Sequence, residues 1–468
     1  MKFINHLLSK SFFPISLKYI SLLVFLGLII IGFTASSSDP AILAQLRNTN
    51  IANLIVWSYW WPLIIILAVF FGRIWCMICP IEIITTFFAK IGLKQKRPSW
   101  LISGWVITIL YILILFIGIH GFAIHRNPSY MAIYLLLILG LSIFIGAIFE
   151  KNTFCRYVCP IGYLLGIYSR LSFLGWRVKK SSVCDSCTDK SCIRKEYQYN
   201  LNIKSCGVDL YPAKIDDNND CILCAGCLKT CSKYRSSNTN DRPNPQLSKI
   251  GTAVELFKLK PLKTAELFFV LIVSGFVIYE IWAEWHVSKS LLLYIPKTIS
   301  SFLSIQNGIL SGIIKSTVIF AIVPTFIWVL PFVISKAIGA TMKLKDYLLN
   351  YGISFIPIMA AAHLSKAVLK TTSRIPYFSH VSDDITGIST AQKIVDNEII
   401  LTQNPTTMNL LVSILISALM ILGIWLSVRV ITRINRKLSV NKSSMVYYLI
   451  PVIYGGVFIS MIMGWRWL

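Results

Sequence analysis

The chain has 468 residues, 55% of them hydrophobic and only 14% charged, with a mean hydropathy of +0.67. Soluble domains carry about 25% charged residues, so this composition excludes an ordinary soluble enzyme and points to a polytopic membrane protein. The net charge of +25 calls for no nucleic-acid partner, because basic residues beside membrane spans meet anionic lipid.

About 20 helical residues cross a hydrocarbon core. Nine apolar stretches of that order occur, at roughly 15–36, 52–75, 99–120, 129–150, 264–287, 312–336, 350–369, 408–430 and 444–466. Of the 45 Lys and Arg residues, 35 fall at 1–18, 73–98, 151–263, 336–345 and 429–442. All five segments lie on one face of a nine-span chain. Lys/Arg excess marks the cytoplasmic side, with the short loops carrying the weight. The expectation is a bacterial cytoplasmic (inner) membrane protein with its N-terminus inside and its C-terminus outside. The first span reads as a retained anchor, since "FTASSSDPA" is a poor signal-peptide cleavage site.

Three parts are expected in chain order. Residues 1–175 hold four spans and an internal duplication: "RIWCMICPIEIITTFFAKIGL" and "NTFCRYVCPIGYLLGIYSRLSF" share an aromatic residue, a cysteine pair and Pro-Ile. Proline just after the second cysteine suits the first turn of a new helix, where a missing N–H costs nothing. Residues 176–262 are polar and contain eight of the twelve cysteines. So small a segment with few large apolar residues needs a metal or cross-links to fold. It is expected as a small α+β two-cluster ferredoxin-like cytoplasmic insertion, with "YPAKI" at 211–215 as a short strand. Residues 263–468 hold five spans and no cysteine. There, 288–311 is expected along the membrane surface and 370–407 as a compact polar stretch. The fold class is thus an all-α polytopic membrane protein of about nine transmembrane helices, with that one small insertion.

The insertion reads C184-x2-C187-x4-C192-x13-C206, then C221-x2-C224-x2-C227-x3-C231. The second group has bacterial ferredoxin spacing, in which three thiolates wrap one cluster and the fourth reaches its neighbour. Eight thiolates supply two [4Fe–4S] clusters in crossed fashion: Cys184, Cys187, Cys192 and Cys231 for one, Cys221, Cys224, Cys227 and Cys206 for the other. Disulfides are disfavoured in reducing cytoplasm. Zinc needs only pairs of C-x2-C, and the third and fourth cysteines of the second group exceed that need. Cys76, Cys79, Cys155 and Cys159 form a further set on the same face. A third cluster, a soft ion such as Cu(I), and a redox dithiol all suit four such thiols. Simple packing of small side chains is the bland alternative.

The combination of two membrane-edge C-x2/3-C-P motifs with a two-cluster ferredoxin segment resembles the membrane polyferredoxins of the NapH, NosR and CcoG type. The resemblance covers about residues 50–235. It implies electron transfer between a cytoplasmic or quinone pool and a periplasmic acceptor or redox partner protein. Those families serve periplasmic nitrate reduction, nitrous-oxide reduction and cytochrome oxidase copper assembly. The first membrane motif is one residue shorter than the usual C-x3-C-P, the ferredoxin motif ends Cys231-Ser232 where Cys-Pro is usual, and the five C-terminal spans have no counterpart in the short NapH type.

Weaker signals remain. "DDITGIST" at 383–390 is similar to the motif at which FMN is attached covalently in NosR, Rnf and Nqr proteins, which aligns Ser389 with the attachment residue. Turn-forming residues alone also explain the string, and neither flavin nor haem is expected. His120, His125, His286 and His363 fall in or near the outer half of the membrane. His363, Glu280 and Glu284 stand out because ionisable residues inside membranes tend to be functional; a quinone or proton role is the candidate. "WSYWW" at 57–61 reads as an interfacial aromatic belt. No Gly-rich phosphate loop, nucleophile elbow or zinc-protease pattern is present. The reading is a membrane-bound iron–sulfur electron-transfer protein, a component of an oxidoreductase system more than a stand-alone enzyme. Its rivals are a copper reductase or assembly factor and a cluster-based redox regulator.

Overall fold

A computed structural model describes residues 1–200, 204–231, 244–305, 308–401, 404–439 and 442–467. Among them, eight helices are long and apolar enough to cross a membrane: Ile15–Thr34, Ile51–Phe71, Pro128–Ile148, Thr264–Trp282, Gly308–Ala337, Leu344–Val381, Thr406–Lys437 and Met445–Arg466. A ninth apolar helix, Trp105–Gly121, is shorter. It starts later than the expected 99, because Gly104 turns the chain at φ +86°, a conformation glycine adopts freely. The polytopic all-α architecture is therefore as the apolar pattern reads, with one small sheet added.

The chain divides into two compact units. One comprises Met1–Ile30, Ile66–Ile107 and Leu135–Glu255; the other comprises Ile31–Ile65, Thr108–Tyr134 and Leu256–Leu468. All twelve cysteines lie in the first.

In the first unit, strands β1 (Leu174–Val178) and β2 (Pro245–Lys249) pair antiparallel, with Trp176 opposite Leu247. They bracket the cysteine-rich segment and close it into a loop. Leu174, Trp176 and Leu247 are buried with Cys221, Leu223, Ala225 and Leu228, so the sheet supplies the apolar floor on which the cysteine segment rests. The N-terminal helix Lys2–Ser9 is clipped onto β2. Asn5 Nδ2 donates to the Leu247 carbonyl, and the Leu247 N–H donates to Asn5 Oδ1, both at 2.9 Å. "YPAKI" is not a strand: Pro212–Lys214 forms a 3-10 turn. Pro212 has no N–H to give a sheet, and the Tyr211 hydroxyl donates to the Cys184 carbonyl at 2.8 Å, tying the turn to the cysteines.

In the second unit, helix Ile356–Ser373 packs along Thr406–Lys437. A β-carbon at Gly423 would meet the Ala361 β-carbon at 2.6 Å, the small-residue contact that brings membrane helices close. Trp328 stacks on Phe355 at 4.0 Å, and Tyr351 lies 4.2 Å from Tyr447. The stretch near 288–311 contains the helix His286–Phe302, with Leu291, Tyr294, Ile295 and Phe302 exposed. The stretch 370–407 ends one helix and contains another, Ile388–Val395.

Candidate metal centre: three sets of four thiols

Each duplicated motif folds the same way. Cys76 sits on the short helix Ile74–Ile78 and Cys155 on Thr153–Tyr157. Cys79 (ψ 130°) and Cys159 (ψ 107°) are extended, and helices Pro80–Ile91 and Pro160–Ser169 begin at the prolines. Proline starts these helices well because its fixed φ is already helical. Each second cysteine therefore sits at the mouth of a helix, and the Cys159 N–H still donates to the Phe154 carbonyl of the preceding turn at 2.8 Å.

The two copies interlock through the residues three before the first cysteine and three after the second. Asn152, three before Cys155, donates from Nδ2 to Glu82 Oε1 at 2.6 Å, and Glu82 is three after Cys79. Arg73, three before Cys76, reaches Gly162, three after Cys159: a β-carbon on Gly162 would lie 2.9 Å from Arg73 Nη2 and 3.5 Å from Cys159 Sγ. Arg73, Glu82 and Asn152 are all nearly inaccessible. This exchange brings Cys76, Cys79, Cys155 and Cys159 into mutual electrostatic reach. The Gly162 N–H donates to Cys159 Sγ at 3.3 Å. Arg73 Nη1 donates to the Asn219 carbonyl at 2.8 Å, whereas its Nε and Nη2 are buried without a hydrogen-bond partner. Burial disfavours the Arg73 guanidinium, but Cys76, Asp220 and Cys159 beside it outweigh that cost and hold it above the usual arginine range.

In the insertion, Cys184, Cys187, Cys192 and Cys231 line one hollow, with Lys190, Tyr211 and Asn244 around them. Asn244 Nδ2 donates to Cys184 Sγ at 3.0 Å and the Lys190 N–H to Cys187 Sγ at 3.4 Å. The remaining four, Cys206, Cys221, Cys224 and Cys227, group separately. Between them the backbone is forced: Leu223 and Ala225 have φ of 54° and 59°. Gly226 has room only for hydrogen, since a β-carbon there would meet the Lys204 carbonyl at 2.6 Å. Such strain curls the chain around a centre. Trp176 Nε1 donates to Cys227 Sγ at 2.9 Å and the Leu210 N–H to Cys206 Sγ at 3.3 Å.

The three sets are joined in series. The Cys206 N–H donates to the Cys192 carbonyl at 2.8 Å, linking the two sets of the insertion. Glu82 then accepts from both Lys18 and Lys204, all three buried. Lys18 is in electrostatic reach of Cys224, Cys155 and Cys79 together, which places this charged triad between the second set and the membrane-edge set.

Every cysteine is a free thiol. Burial pushes the thiols of Cys192 and Cys221 up to about 12, and those of Cys159 and Cys206 up to about 11. Without a bound cation these four thiols hold protons at neutral pH, and a cation must displace them. The donor set fits iron–sulfur chemistry: three quartets of soft sulfur, N–H groups aimed at sulfur, and unpartnered guanidinium nitrogens beside an anionic site. Among the described residues, no three His, Cys, Asp or Glu side chains converge as a single metal ion requires. A cubane, with each thiolate on a separate iron, does not need that convergence.

The other sequence candidates lie in the second unit. His363 is buried, 6.0 Å from the rings of both Trp61 and Phe276. His120 Nδ1 is 2.8 Å from the Ser316 hydroxyl, and its ring stacks on Phe320. His286 opens a surface helix. Ser389 is exposed. Next to it, Asp384 accepts from the Thr390 N–H at 2.7 Å and the Gly387 N–H at 2.9 Å, so the string shapes a helix start. Glu280 and Glu284 both pair with Lys366. Sequence reasoning passed over Arg73, Glu82, Lys18, Lys204, Trp176 and Asn244. For Arg73 and Glu82 a signal existed: they occupy matching offsets in the duplicated motif.

The family described as a 4Fe-4S binding domain matches residues 53–98 and 131–183, and each stretch carries one copy of the duplicated motif. Two uncharacterized proteins of Methanocaldococcus jannaschii are similar to this chain, 28% identical over 176 residues and 27% over 193. Each alignment takes in 36% of this chain, and respectively 65% and 73% of the relative. No solved structure matches. The family match supports an iron–sulfur protein.

Proposed function

We propose that this chain is an integral-membrane electron-transfer protein of the NapH/NosR/CcoG kind, with three cluster sites in series. Cys184, Cys187, Cys192 and Cys231 hold one cluster, and Cys206, Cys221, Cys224 and Cys227 the second. Cys76, Cys79, Cys155 and Cys159 hold the third. When bound, a [4Fe–4S] cluster supplies a one-electron couple whose potential the protein sets through sulfur hydrogen bonds, net charge and solvent access.

The chain's own residues do that setting. Trp176 and Asn244 donate N–H to sulfur, which favours the more negative, reduced state. Arg73 holds positive charge against the membrane-edge thiols. Lys18, Glu82 and Lys204 stand buried beside two sets as paired charge. The partners proposed are a cytoplasmic or quinone electron pool on one side and a redox protein beyond the membrane on the other.

The observation that carries this reading is the serial linkage of three all-thiol sets, the last built from the two segments that match the 4Fe-4S family. Anaerobic purification of the full chain with iron and acid-labile sulfide analysis tests it. About twelve of each are expected for three clusters and about eight for two. Zinc without labile sulfide overturns the proposal. Replacing Cys76 and Cys155 by serine together should remove about four irons and leave the other signals in place.

A further inference from the structure

Ten Lys and Arg residues lie outside the five basic segments, and half of them gather at one place in the second unit. Arg47 feels Arg374 and Arg126 as like charges and Glu280 and Glu284 as opposite ones. Lys370 lies 6.0 Å from the Trp57 ring, and Lys366 bonds to both carboxylates. Five basic groups therefore face two carboxylates, an excess of up to three positive charges in a largely buried place. Lys366 consumes the carboxylates' best geometry. Among the described residues, no salt bridge reaches Arg47, Arg126, Lys370 or Arg374.

Unsatisfied donors surround the same spot. His125 Nε2 accepts from Arg126 Nε at 3.3 Å, so its other nitrogen, Nδ1, is a donor, and it is buried without a partner. Trp57 Nε1, whose ring sits edge-on to His125 at 6.4 Å, is likewise buried and unpartnered, as is Arg374 Nε. Buried donors are nearly always satisfied, and each orphan requires an explanation. Three orphaned N–H groups with uncompensated guanidinium and ammonium charge call for one acceptor group bearing several oxygens and about two negative charges.

We propose that Arg47, Arg126, Lys370 and Arg374, with His125 and Trp57, form a binding site for a phosphoryl group. A monoanionic carboxylate would leave two charges unmatched and fewer donors filled. A phosphoryl dianion takes both, and arginine forks suit its geometry. The group can arrive on a phospholipid headgroup or on a soluble phosphate compound; the chemistry recognised is the same.

The test uses the full chain, purified with its metal sites filled and delipidated in neutral detergent. One arm titrates inorganic phosphate against chloride at equal ionic strength, and the other adds phosphatidylglycerol or phosphatidylcholine in mixed micelles. Thermal midpoint and direct binding are read in each arm. Saturable stabilisation by phosphate over chloride supports the site with a soluble source. Stabilisation by phosphatidylglycerol alone, beyond that by phosphatidylcholine, supports it with a lipid source. Arg47→Gln or Lys370→Gln should weaken binding by about tenfold or more, the worth of one charge-assisted hydrogen bond. Trp57→Phe keeps the ring, removes one donor and should weaken binding severalfold, which covers the case where a charge variant fails to fold. Equal effects of phosphate and chloride with no lipid preference, or unchanged binding in the folded variants, overturn the proposal.

Discussion

Replacing Glu82 by glutamine tests the charged link between two of the thiol sets. Its carboxylate accepts from Lys18, Lys204 and, at 2.6 Å, Asn152, while the Thr86 hydroxyl lies 3.2 Å away. Its side chain is 2% exposed, and each lysine side chain 7%. Glutamine keeps the shape and one acceptor oxygen but leaves two ammonium groups with no counter-charge. Breaking a buried pair costs about 3–5 kcal/mol, and the surviving hydrogen bonds return roughly 1 kcal/mol. A net loss of about 2–4 kcal/mol is expected, and a compact unit of roughly 150–250 residues loses about 2–4 °C per kcal/mol. The thermal midpoint of the anaerobic holoprotein should fall on the order of 10 °C, with earlier iron release. Adding Lys204→Met to the variant should recover part of the loss, because the orphaned charge is then gone. A shift below about 2 °C would show that the lysines reach water, and the idea of a dry charged link would fail.

Trp176→Phe removes the N–H donated to Cys227 sulfur. About 1 kcal/mol of differential stabilisation corresponds to roughly 40 mV for one electron, so one midpoint potential should drop by that order in an EPR-monitored titration; no change in any potential refutes the assignment. Arg73→Gln should selectively empty the membrane-edge set, lowering iron by about a third while the insertion's signals persist. Because burial raises the metal-free thiols of Cys159, Cys192, Cys206 and Cys221 to about 11–12, these four are protonated throughout the working range. Metal must displace those protons, so reconstitution of the chain should weaken steeply from pH 9 to pH 6, by up to about tenfold per thiol per pH unit; a flat profile contradicts this.

Much of the architecture was legible because a hydrocarbon solvent leaves few choices: an apolar run must be a helix to satisfy its own backbone. The exceptions are local. Gly104 delays the third apolar helix, and Pro212 turns "YPAKI" away from a strand. The sheet instead forms from residues 174–178 and 245–249, far apart in sequence, whose pairing no local pattern announces. Cysteine spacing could name the thiols because the ligand loop is short and local. The charges around them were not readable in that way. Lys18 and Lys204 reach Glu82 from 64 and 122 residues away, and Asn244 and Trp176 approach sulfur only once the sheet has closed.

The duplicated motif shows how a symmetric donor set acquires unequal flanks. The two copies supply equivalent thiols, yet their flanking positions differ in kind: arginine and asparagine before the first cysteine, glutamate and glycine after the second. Folding exchanges these partners across the copies, so Arg73 enters the room that Gly162 leaves and Asn152 donates to Glu82. One flank of the four thiols therefore carries a buried guanidinium, held through Nη1 by the Asn219 carbonyl. The other carries a carboxylate already engaged by two lysines, one of them rooted in the insertion. Equal copies would have placed two arginines or two carboxylates against one anionic site, and like charges in a dry place are costly. The unequal copies avoid that repulsion, and each flank reaches the insertion by its own route, Arg73 through the Asn219 carbonyl and Glu82 through Lys204.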